Sequence, residues 1–215
     1  MSATLFAVLV MLALNVDAHW MTAPDDAVER WLDAHRSARW RVDADGAFSY
    51  LGRPVHVATA GVVAGSLLAW RWRSVLPLAL ITGGVGLGVA LEQTFKAVFG
   101  RSEATLLALH DGSLTAYQHS FPSGHVTGAS TLLGMTAVCV GAGRSEAVKS
   151  MLAVLVVAGV LAVAFLALYS RAHIFSDVVG GMVLGGAIVA LGAATLRTSS
   201  HPTPVWVGAD QPVSR

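Results

Sequence analysis

Pro122-Ser123-Gly124-His125 stands at the seam between a polar loop and a long apolar run. Proline fixes the backbone ahead of a helix, and Ser or Gly suits the capping position. The first helical amides then face outward unpaired, which makes an anion site. His125 falls in the first turn, placed to exchange a proton with a bound anion. A capped membrane helix with an interfacial histidine reads the same way. A second stretch, Tyr169 to Asp177, holds Arg171, His173 and Asp177. His173 and Asp177 are four apart, so one helical turn brings them face to face. A carboxylate that accepts the proton of one imidazole nitrogen fixes the tautomer and frees the other nitrogen as a nucleophile. Asp177, or Ser176 beside it, as a plain helix cap is the alternative. A third stretch, Glu92 to Arg101, ends a helix in Lys96 and Arg101, two cations suited to clamping an anion. Lys96 can equally pair with Glu92 one turn back or snorkel to an interface.

The elements that must position these groups lie in a membrane. Of 215 residues, 54% are hydrophobic and only 13% charged, against about 25% charged in soluble domains. The net charge of +1 suggests no nucleic-acid partner. A single cysteine, Cys139, excludes an internal disulfide. The residues offer no convincing metal cage, and no cofactor is expected.

The expected fold is all-α, a polytopic membrane bundle of about six transmembrane helices. Residues 1–16 form a first transmembrane helix or signal anchor. The run is short of the usual span of about 20 residues, but no basic residue precedes it as in a signal peptide. If it is cleaved, five spans remain. Residues 17–53 read as an extracytoplasmic loop with a short interfacial helix. Asp25 or Asp26 caps that helix, and Val28, Trp31, Leu32 and His35 share a face. Trp20, Trp31 and Trp40 place it at the membrane surface. Spans follow near 54–70, 75–97, 124–142, 151–170 and 178–196, making residues 54–196 the catalytic bundle. Glycine pairs such as Gly181-xxx-Gly185 suit close helix contact. Residues 197–215 read as a disordered cytoplasmic tail. Arg71, Arg73, Arg144, Lys149 and Arg197 mark the cytoplasmic side. Lys96, Arg101, His125, Arg171, His173 and Asp177 then gather on the outer face, where ionisable groups at membrane depth are functional candidates by default.

Taken in order, the three stretches resemble the type 2 phosphatidic acid phosphatase (PAP2) superfamily over about residues 53–196. That family shows a Lys-to-Arg-Pro motif, then Pro-Ser-Gly-His, then Ser-Arg followed by a spaced His and Asp. Here they correspond to Lys96 to Arg101, Pro122 to His125, and Ser170-Arg171 with His173-xxx-Asp177. The resemblance implies that His173 attacks phosphorus, Asp177 orients its ring, and His125 serves the leaving oxygen and then the water. It also implies that Lys96, Arg101, Ser123, Gly124 and Arg171 bind the phosphate. Two departures stand out. Gly100-Arg101-Ser102-Glu103-Ala104 lacks the family's second Arg and its Pro, and Glu103 would repel a phosphate unless it points away or is paired. Only Ala172 separates Arg171 from His173, where the family has a longer spacer. Some four missing residues amount to about 6 Å along a helix axis, so Arg171 is the weaker clamp. His110, Asp111 and His119 precede the second motif and are candidates to line the entrance.

The implied activity is metal-independent hydrolysis of a membrane lipid phosphate or diphosphate. Phosphatidic acid, phosphatidylglycerophosphate, undecaprenyl diphosphate and lipid A phosphate are all candidate substrates. The implied place is the bacterial inner (plasma) membrane, with the site on the periplasmic or extracellular face. A family member that binds lipid phosphate without hydrolysing it, and a lipid phosphotransferase, are the competing readings. Haloperoxidase-type relatives are soluble, which disfavours them here. A transporter would not explain polar groups gathered at one edge of the bundle.

Overall fold

The computed structural model describes residues 1–51, 53–102 and 119–199. Glu103, His110, Asp111 and the tail beyond 199 lie outside the described residues. Eight helices run through the described chain, which contains no strand: α1 (Ser2–Leu14), α2 (His19–His35), α3 (Ala38–Leu51), α4 (Pro54–Trp72), α5 (Leu76–Val98), α6 (Gly124–Gly141), α7 (Glu146–Tyr169) and α8 (Phe175–Ser199). Prolines open α4 and α5, where their missing amides cost no helical hydrogen bond. Helices stand at all six expected apolar runs.

α8 is the centre of the bundle and packs on α6, α1, α5, α2 and α7. Its small residues allow this. A Cβ at Gly181 would lie 2.7 Å from the Ser123 carbonyl oxygen, and one at Gly185 would lie 2.4 Å from the Ser130 Cβ. The α6 and α8 backbones can therefore approach only with glycine there, as the Gly181-xxx-Gly185 spacing suggests. α7 is the opposite case. Half of the most apolar window of α8 is buried inside the protein, against 17% of that of α7. Met151, Val154, Leu155, Leu161 and Phe165 of α7 are exposed, which in a bilayer means facing lipid.

Among the described residues three helices, α5, α7 and α8, are each long and apolar enough to cross a membrane. The count reaches five if the bent pairs α1–α2 and α3–α4 are each one span. Against about six expected, or five without the first run, two helices hold this count down for a physical reason. α1 has 13 residues, about 20 Å of helix where the hydrocarbon core is about 30 Å. α6 has 18 residues and carries the buried polar side chains Thr127, Ser130 and Thr131.

The polar segment after α1 differs most from expectation. Rather than a loop with one short helix, it forms two helices over the mouth of the bundle. α2 turns 84° away from α1 and packs on α8 and α7, while α3 packs on α7 and α4. Neither Asp25 nor Asp26 caps α2, which begins at His19. The buried stripe is Met21, Asp25 and Leu32. Trp31 and His35, assigned to that face, instead stack on each other outside it, with ring centroids 4.6 Å apart. Trp20, Trp31 and Trp40 are all exposed, as rings at a membrane surface are. At the far end, α8 continues as helix to Ser199, so Arg197 is helical rather than part of a tail. Arg197 and Lys149 line one groove at that end.

Candidate active site

The site forms where two helices begin. The Ser123 amide donates to the Asp177 carbonyl oxygen at 2.9 Å, which ties the start of α6 to the start of α8. Asp177 lies in the first turn of α8 and is fully buried. Its Oδ2 meets His173 Nδ1 at 3.1 Å and also accepts from the Ile174 amide at 3.4 Å. The carboxylate therefore orients the imidazole and serves the helix start at the same time, so the two sequence alternatives for Asp177 are one structure. With Nδ1–H donating to the carboxylate, Nε2 keeps its lone pair.

Asp177 Oδ1 is held from the other side. Arg101 Nη2 donates to it at 2.5 Å and to Ser176 Oγ at 2.9 Å, while Nη1 donates to Ser120 Oγ at 2.9 Å. The guanidinium is buried, so the cation expected to clamp an anion is turned inward as the counter-ion of Asp177. Beyond it lies Asp25 of α2, also buried, which accepts from the Ser176 amide at 2.6 Å and the Ser176 hydroxyl at 2.8 Å.

His125, in the first turn of α6, faces His173 with ring centroids 6.4 Å apart and planes at 63°. Phe48 of α3 stacks on His125 at 4.0 Å and meets His173 edge-on at 6.1 Å. Gly124 and His125 are half-buried. Ser123 is fully buried, and its hydroxyl accepts from the Val126 amide at 3.5 Å as the cap of α6. Beside it, Lys96 pairs with Glu92, the alternative that the spacing had allowed. Glu92 is buried, and a Cβ at Gly124 would lie 2.9 Å from its Oε1. That carboxylate thus borders the start of α6.

Arg171 is not brought into the cluster. It sits at φ 62° in the turn after α7 and pairs with Glu29 (3.2 Å from Nε) and Asp33 of α2. His119 is exposed, with Nδ1 2.9 Å from the Lys96 carbonyl oxygen. The structure therefore unites His173, Asp177 and Arg101 by direct contact and sets His125, Ser123 and Gly124 opposite them. Lys96 stands at the edge, and Arg171 is turned away. Sequence reasoning did not find Asp25, Ser176 or Phe48 as members of the cluster. Asp25 on the Met21–Leu32 stripe, and Ala44 with Phe48 as the buried pair of α3, were the available signals. Among the described residues no three His, Cys, Asp or Glu side chains gather as a metal ion would need.

The model of the PAP2 superfamily matches residues 75–200. The chain belongs to the PAP2 superfamily. All three motifs of this PAP2 chain that supply His173, His125 and Lys96 fall inside the match. A search of curated proteins found no match. Among solved structures, the chain is similar to the transmembrane PAP2 type phosphatidylglycerolphosphate phosphatase from Bacillus subtilis. The TM-score is 0.73 at 19% identity, over 92% of this chain and 96% of that one. At that identity the likeness is one of fold, and at 92% of the chain it reaches beyond the family match. The protein is an integral membrane helical bundle.

Proposed function

We propose that this PAP2 protein hydrolyses a membrane lipid phosphate or diphosphate through a phosphohistidine. The observation that carries the reading is the His173–Asp177 pair, with His125 6.4 Å across from it at the start of a helix. In the first step His173 Nε2 attacks phosphorus, the P–O bond to the lipid breaks, and His125 gives its proton to the leaving oxygen. In the second step His125 takes a proton from water as the oxygen attacks phosphorus, the P–N bond breaks, and phosphate leaves. The amides at the start of α6 around Gly124, together with Lys96, balance charge on the non-bridging oxygens. Arg101 acts indirectly, by keeping Asp177 ionised and aimed. Arg171 has no part in holding the phosphate.

A lipid is the fitting substrate, because the site lies at the edge of a membrane bundle, where a tail can stay in the bilayer while the headgroup enters. The basic residues Arg71, Arg144 and Arg197 belong to the opposite end, which supports a periplasmic or extracellular site by the positive-inside rule. Phosphatidylglycerophosphate comes first in an assay panel, given the activity of the similar Bacillus protein. Phosphatidic acid, undecaprenyl diphosphate and lipid A phosphate complete it. The test is phosphate release from this panel by detergent-purified protein with EDTA present, beside His173→Ala. Release by the wild type alone supports the reading. Folded wild type that binds the lipids without release would replace it with the binding-only reading. Release that depends on an added acceptor would replace it with phosphotransfer.

A further inference from the structure

Asp25 is the least expected charge in the molecule. It sits in the middle of α2, 151 residues from its partner, and is 1% exposed. A carboxylate buried to that degree costs several kcal/mol unless hydrogen bonds and a counter-ion compensate. A leucine would serve α2 better if the position only filled space. Asp25 instead accepts two hydrogen bonds from one residue, the Ser176 amide at 2.6 Å and the Ser176 hydroxyl at 2.8 Å. That hydroxyl has one proton. Since it donates to Asp25, its lone pairs turn towards Arg101, whose Nη2 reaches it at 2.9 Å. The same Nη2 holds Asp177 Oδ1, and Asp177 Oδ2 holds His173. The bonds form one unbroken line: Asp25, Ser176, Arg101, Asp177, His173.

From this line we infer that Asp25 is a positioning residue for the His173 nucleophile, acting from α2 through Ser176 and Arg101. The inference rests on the phosphohistidine reading above. Asp25 does three things in the line. It fixes the direction of the Ser176 hydroxyl. It pins the first turn of α8, from which Asp177 projects. It also shares the charge of Arg101 across the Ser176 hydroxyl, so that the guanidinium is drawn towards Asp25 as well as Asp177. The charged groups facing Asp25 are Arg101 and Asp177. Without Asp25 the cluster loses one negative charge, and Arg101 draws Asp177 away from Nδ1. Misplacing a reacting group by about 1 Å can cost about 100-fold. α2 also carries Glu29 and Asp33, which hold Arg171 on the other side of the 170–174 turn. One helix from outside the PAP2 match thereby braces both ends of the turn that presents His173.

The experiment uses the full chain in detergent and the panel lipid that the wild type hydrolyses fastest. Asp25→Asn keeps the volume and can still accept from the Ser176 amide, but it carries no charge. Ser176→Ala keeps Asp25 and removes the bridge to Arg101. Each variant should lose roughly 10- to 100-fold in kcat with KM within about twofold, and the double variant should lose little more than either single one. The acid limb of the kcat–pH profile should move to lower pH in Asp25→Asn, because the Asp25 carboxyl, which burial pushes up to about 6, takes up its proton in that range and Asn cannot. A smaller folded fraction cannot move that limb. If Asp25→Asn keeps wild-type kcat, or loses kcat with an unmoved profile, Asp25 is only structural and the inference is overturned. If the wild type shows no His173-dependent release, the phosphatase reading and this inference fall together.

Discussion

The two histidines of the site are held by opposite means. His173 sits at the end of a buried polar line in which each link is a hydrogen bond or an ion pair, from Asp177 through Arg101 and Ser176 to Asp25. His125 is held by an aromatic face, the Phe48 ring 4.0 Å away and nearly parallel. The difference matches the work proposed for each. A nucleophile must keep one tautomer and one direction of approach, and a carboxylate with its own counter-ion enforces both. A proton carrier must change protonation twice per cycle, and a flat apolar neighbour steadies its plane without favouring one state by hydrogen bonding.

Substitutions can break this contrast, beginning with the largest effect. His173→Ala should abolish phosphate release, on the order of 10⁴-fold or more in kcat. Asp177→Asn, which keeps shape but removes the charge that selects the tautomer, should cost about 10²- to 10⁴-fold. His125→Ala should lose about 10²- to 10⁴-fold. The loss should shrink for substrates with a better leaving group, such as an aryl phosphate, if His125 protonates the leaving oxygen; a uniform loss would assign it to binding. Arg101→Lys tests the polar line itself. A lysine cannot span Ser120, Ser176 and Asp177 with one planar fork, so kcat should drop roughly 10-fold or more, read beside an unchanged KM. Glu92→Gln should act in the other direction, lowering KM a few-fold, because a carboxylate beside Gly124 repels an entering phosphate. The smallest effect belongs to Arg171→Ala. It pairs with Glu29 and Asp33 of α2 at the far end of the turn that presents His173, so KM should stay within about twofold and kcat should fall only a few-fold.

The part of this architecture that was legible in the sequence is the part that local rules control. Apolar runs gave helices at all six expected places, and the contiguous Pro122 to His125 motif put Ser123 at the cap of α6. The i, i+4 spacing of His173 and Asp177 sufficed to bring them into contact. What stayed hidden depends on distant pairing. Arg101 reads as a clamp because it ends a helix beside Lys96, but the buried carboxylate and hydroxyls of Asp177, Ser176 and Ser120 draw it inward. Arg171 enters as the weaker clamp through the family motif it resembles, yet two acids on α2 hold it. Asp25 and Phe48 come from a polar segment with weak periodicity, and only the folding of α2 and α3 over the mouth shows which of their faces is buried.

The most direct test of the phosphohistidine is to quench the protein while it turns over a lipid carrying ³²P in the scissile phosphate. Covalent label that survives base, is lost in acid, maps to His173 and is absent from His173→Ala is the result required. Continued hydrolysis by His173→Ala, or steady turnover by the wild type with no labelled protein in rapid-quench samples, would contradict it and leave direct attack by water in its place.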